Sequence, residues 1–149
     1  MYKHILISTD GSQVAQKGVD HGLSLAKSLG AKVTIITVSE RFPIYAGAAE
    51  PIWLPGPDEM ARYEAAHKEA ADKVLGETKA AAERLGVETE TVHVPEALPA
   101  EAIIATAKDR DCSLIVMASH GRRGLGRLLL GSQTSEVLAN STVPVLVVR

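Results

Sequence analysis

The segment Ala118-Ser119-His120-Gly121-Arg122-Arg123-Gly124-Leu125-Gly126-Arg127-Leu128-Leu129-Leu130-Gly131-Ser132 concentrates four glycines and three arginines before a helical stretch. Glycines let backbone N–H groups approach a ligand closely, and a helix N-terminus presents N–H groups without intrahelical partners. Anions suit such a place, and a charge-assisted hydrogen bond to phosphate contributes on the order of 1.5–3 kcal/mol. The spacing of Gly121, Gly124 and Gly126 matches neither the P-loop lysine pattern nor G-x-G-x-x-G. A second reading is equally open: the glycines serve tight turning, the arginines are solvated, and Leu128-Leu129-Leu130 clips the loop to the core.

At the other end of the chain, Ser8-Thr9-Asp10-Gly11-Ser12 follows an apolar strand. Asp10 suits either a ligand contact or a turn. Ser132 suits an N-cap that also faces a phosphate. His120 has no acidic orienter or nucleophile nearby in sequence, which fits a loop histidine near phosphate better than a general base. His4, His21, His67 and His93 lack metal-ligand spacing and read as ordinary surface or strand residues.

The elements that must position these residues alternate between β-branched runs and alanine-rich helical stretches, the pattern of a parallel sheet with crossover helices. Strands are expected over Tyr2–Thr9, Val33–Val38, Val87–Val94, Ser113–Ala118 and Val143–Val148. The alternation in Val87–Val94 predicts a strand near the sheet edge. Helices are expected with one face of Val14, Val19, Leu23, Leu25, Ala26 and Leu29, ending at Gly30, then from Asp58 as cap through Ala65, Ala66, Ala70, Val74, Ala81 and Leu85 to Gly86. Pro99 to Ala107 and Ser132 to Asn140 complete the series. On the second helix Glu64, Lys68, Glu69, Asp72 and Lys73 form a solvated face. The loop from Ser39 to Pro57, with four prolines, Tyr45 and Trp53, is long for a compact domain. Ligands of open parallel sheets bind outside the carboxyl ends of strands where the winding reverses, so Thr9-Asp10 and the loop from Ala118 are expected to meet there.

With 149 residues and no linker, the chain fits one domain over 1–149. Its 46% hydrophobic and 23% charged residues suit a globular core, and 3% aromatics make that core aliphatic. A net charge of -2 gives no electrostatic reason to bind nucleic acid or an anionic membrane. No apolar run approaches the ~18 residues of a membrane span, and the first residues do not read as a signal peptide, so cytoplasmic residence is the default expectation. Cys112 has no internal disulfide partner and reads as a small residue near a buried strand.

Ile5-Leu6-Ile7-Ser8-Thr9-Asp10-Gly11-Ser12, Ser119-His120-Gly121 to Gly131-Ser132, and Pro144-Val145-Leu146-Val147-Val148 resemble the universal stress protein family over nearly the whole chain. The family's nucleotide-binding branch carries G-x2-G-x9-G-[S/T]. Here Gly121, Gly131 and Ser132 match it, and Ala118 replaces the first glycine, where the family brings backbone close to the ribose. The resemblance implies an open five-stranded parallel α/β sheet, order 3-2-1-4-5, Rossmann-like, with helices on both faces. It also implies that Asp10 contacts the adenosine, that the Val38 backbone reads the adenine edge, that Ser8 and Thr9 border the pocket, and that Ser119, His120, Gly121, Arg122, Arg123 and Gly124 with Ser132, Gln133 and Thr134 hold phosphates. The implied ligand is ATP or AMP, with any Mg2+ carried by the phosphates, in a homodimer paired through the last strand that acts on a regulatory partner protein. Slow ATP hydrolysis or phosphate transfer on the same site, and a nucleotide-free structural dimer, are the rival readings.

Overall fold

The computed structural model describes residues 1–42, 54–120 and 130–149. Five parallel strands, β1 (His4–Ser8), β2 (Lys32–Val38), β3 (Thr89–Val94), β4 (Leu114–Ala118) and β5 (Val145–Val148), lie in the order β3-β2-β1-β4-β5. The central strands are continuous aliphatic runs because both faces are covered. Ile5, Ile7, Val33, Ile35, Leu114 and Val116 point to one face, where α1 (Gln13–Leu29) and α2 (Pro57–Arg84) pack. Leu6, Ile36, Ile115 and Met117 point to the other, under α3 (Pro99–Asp109) and α4 (Ser132–Asn140). Full burial of each large aliphatic side chain contributes about 1.5–3 kcal/mol, so these two layers hold the sheet.

Several details differ from the pattern in the sequence. Gly56, not Asp58, is the cap of α2; Pro57 starts the helix and Asp58 joins Glu59 in its first turn, where acids favour the positive end of the helix dipole. The buried residues of α2 are Ala71, Leu75, Thr78 and Ala82, whereas Ala65, Ala66 and Ala70 are exposed. On α1 the buried stripe is Ala15, Gly18, Val19, Gly22, Leu23 and Ala26, and Leu29 stands half out. A Cβ on Gly18 would lie 3.0 Å from the Ala118 amide nitrogen, and one on Gly22 would lie 2.7 Å from Ile7 Cδ1. These two glycines bring α1 down onto β1 and β4. Strand β3, at the edge, buries little of its alternating sequence, as expected.

At the amino end of the sheet, Thr34 Oγ1 donates to Glu90 Oε1 at 2.8 Å and accepts from His4 Nε2 at 2.8 Å, while Arg110 pairs with Glu90 at 2.7 Å. Cys112 lies buried beside them, and burial pushes its thiol up to about 11.

Because β1 continues to β2 on one side while β4 and β5 lie on the other, the winding reverses between β1 and β4. A crevice at their carboxyl ends follows.

Candidate functional site

A cleft of about 410 Å³ opens there, within the range of small-molecule sites. Its floor is built where strands end. After β1 the Thr9 amide still donates to Ile36 at 3.0 Å, and the Thr37 hydroxyl donates to the Thr9 carbonyl. The chain then turns: Gly11 adopts φ +78°, its amide donates to Thr9 Oγ1 at 3.2 Å, and Asp10 Oδ1 accepts from the Ser12 amide at 2.9 Å. Ser12 is the cap of α1, accepting from Ala15 at 3.2 Å. Asp10 is thus a turn acid whose carboxylate borders the cleft together with Ser8 and Thr9.

Strand β2 supplies a backbone edge. Lys32 and Ile36 bond towards β1, whereas Val33 and Ser39 bond towards β3. By this alternation the amide and carbonyl of Val38 face the β1 side, beyond Ser8 where β1 has ended, and Val38 lines the cleft.

The third wall joins β4 to α4. Gly131 donates to the Ser119 carbonyl at 2.8 Å, and Thr134 Oγ1 donates to the carbonyls of Ala118 and Ser119 at 3.0 and 3.2 Å. A Cβ on Gly131 would meet the Ser119 oxygen at 3.2 Å, so glycine is what lets the helix start so close to the strand end. Gly131, not Ser132, is the cap of α4, and as a glycine it brings no side chain to bond the first-turn amides. Gly131, Ser132, Gln133 and Thr134 all line the cleft, so the open first turn faces it. His120 lines it too; its Nδ1 pairs with Ser119 Oγ at 2.9 Å, and its buried Nε2 has no hydrogen-bond partner among the described residues. The Gln133 side chain is turned elsewhere than expected: its Oε1 accepts from the Ala100 amide at 3.0 Å, tying the first turn of α3 to that of α4. Gly121, Arg122, Arg123 and Gly124 lie outside the described residues.

A sequence model of the universal stress protein family matches residues 1–149. The chain belongs to the universal stress protein family. This universal stress protein is 36% identical over its full length to Universal stress protein MJ0531 of Methanocaldococcus jannaschii, of which the match covers 83%. Its fold superposes on the solved structure of MJ0577 from the same organism with a TM-score of 0.81 and 27% identity, covering 99% of this chain and 96% of that one. It also superposes on the universal stress protein from Archaeoglobus fulgidus in complex with dAMP, with a TM-score of 0.71 and 19% identity, covering 99% and 98% of the two chains. That last likeness bears on the fold.

The site of this universal stress protein has a wall that the motifs do not announce. Tyr63, His67, Ala70, Ala71 and Val74 of α2 close the cleft opposite the strand ends, and Pro99 and Ile103 of α3 close its flank. The first half of α2 overhangs the cleft and the second half packs on the sheet. The i, i+4 pair Tyr63 and His67 was the available signal; their rings lie 4.1 Å apart. Among the described residues no group of three or more His, Cys, Asp or Glu side chains converges as a metal site, and no helix is long and apolar enough to cross a membrane.

Proposed function

We propose that this universal stress protein is an adenine-nucleotide-binding module, with ATP as first ligand and AMP as second, acting as a homodimer on a regulatory partner. The carrying observation is the convergence of the Asp10 carboxylate and the open first turn of α4 on one cleft at the winding reversal. Backbone amides and the helix dipole there attract phosphate, and a carboxylate at the far side suits ribose hydroxyls. The cleft-facing amide and carbonyl of Val38 suit the donor and acceptor edge of adenine. The choice of adenine, and the part of Gly121, Arg122, Arg123 and Gly124, rest on the family resemblance. Any Mg2+ rides on the phosphates, since no carboxylate cluster among the described residues offers a cage.

Ala118 stands where the family motif has its first glycine, yet its carbonyl still receives Thr134, so the strand–helix junction is intact despite the added methyl.

Thermal melts in the presence of ATP, AMP and GTP test the proposal. Binding to the native state alone adds about 2.7 kcal/mol at ligand near 100 Kd, so the melting temperature should climb with ATP concentration, less with AMP and least with GTP. A melting temperature indifferent to ATP would remove the proposal.

A further inference from the structure

A second cavity of about 380 Å³ adjoins the first beyond the end of β2, between the end of β3 and the first half of α2. The two share Ser39, Glu40, Tyr63 and His67, so among the described residues they are lobes of one cleft divided by the residues after Val38 and by a pair of rings. The dividing wall is built rather than incidental. The Tyr63 hydroxyl donates towards the carbonyls of Glu40 and Arg41, both at 3.3 Å, and its ring meets those of Phe42 and His67 at 4.8 and 4.1 Å. Ser39 is fixed through Val94 and Ala97, and its hydroxyl pairs with His93 Nε2 at 2.8 Å.

The chemistry of the second lobe differs from that of the first. Half-buried rings of Tyr63, His67 and His93 form its inner wall, while exposed Glu40, Glu64 and Glu96 stand at its rim and Lys68 is paired with Asp72 at 2.6 Å. Such a lobe suits an uncharged planar group, stacked on the rings, and repels a further phosphate. Given the nucleotide reading above, on which this inference rests, a base held edge-on by Val38 directs its exocyclic amine towards Ser39 and the lobe beyond it. We infer that the ligand class of this site includes adenine nucleotides carrying an uncharged ring on the exocyclic amine, with that ring seated in the second lobe against Tyr63 and His67.

Titration of the full chain with ATP and with ATP benzylated on its exocyclic amine tests this. The benzylated nucleotide should bind at least as tightly as ATP, and up to about tenfold tighter. Glu64→Trp on exposed α2 surface fills the second lobe without lining the first. It should weaken the benzylated nucleotide by about tenfold and leave ATP within about twofold. The inference is overturned if ATP binds while its benzylated form binds about tenfold more weakly, if Glu64→Trp leaves both affinities alone, or if it weakens both equally. If neither nucleotide binds, the nucleotide reading fails as well, which separates the two failures.

Discussion

His4 sits at the start of β1 with its ring buried, Nε2 bonded to Thr34 and Nδ1 without a hydrogen-bond partner among the described residues. Burial, and then the charge of Lys32, hold its pKa below the ordinary 6.5. The native chain therefore resists a proton that the unfolded chain accepts, so the contribution of His4 is intact above 6.5 and declines as pH falls below it. His93, lowered by burial, adds to the same window. Glu90 is held below its ordinary 4.5 by the Thr34 hydroxyl and then by Arg110, so its contribution is present above 4.5 and is lost on further acidification. Denaturant unfolding followed from neutral to acid pH should show stability falling in these two stages. His4→Gln, which can still meet Thr34 but takes no proton, should flatten part of the first stage; an unaltered profile would contradict the assignment.

At the scale of elements, glycines separate two kinds of helix position. Alanine is preferred over glycine inside a helix by about 0.8–1.0 kcal/mol. Around Gly76 on α2 a Cβ would meet nothing within 4 Å, so Gly76→Ala should raise stability by about that amount. On α1, Gly18→Ala would press a methyl to 3.0 Å from the Ala118 backbone, which cannot swing aside as a side chain can, so the same substitution should lower stability despite the better propensity. Paired thermal melts decide this, and a gain from both substitutions would show that α1 has slack.

The elements were legible where local chemistry decides them: aliphatic runs for the central strands, alternation for edge strand β3, Gly30 closing α1 at φ +63° and Gly131-Ser132 opening α4. The lining of the cleft was legible at Asp10, at Ala118 and His120, and at Gly131 to Thr134, because strand ends and glycines mark them. Its α2 wall was not. Tyr63 and His67 lie in a strongly charged helix, and where that helix overhangs the sheet is settled by tertiary packing rather than by periodicity. The partner of the Gln133 side chain was not legible for a similar reason, since the Ala100 amide comes from a helix 33 residues away in sequence.

For the whole molecule, β5 is a sheet edge whose four apolar residues are all half-buried. An edge of this kind invites pairing with another chain. Leu146 and Val148 pack on the core beneath α1 and Val145 packs on the opposite core, whereas Val147 belongs to neither cluster. The proposed homodimer through β5 predicts that Val147→Lys gives a folded monomer while the parent chain sediments as a dimer. A parent chain that sediments as a monomer, or a variant that stays dimeric, would contradict the pairing.

In the function proposed above, the Asp10 turn and the start of α4 clasp one nucleotide. Isothermal titration of ATP into the parent chain and into Asp10→Asn, whose amide oxygen can keep the bond to Ser12, tests it most directly. One ATP should bind per chain, about tenfold more weakly in the variant. Absence of binding to the parent, or equal affinity in both, would contradict it.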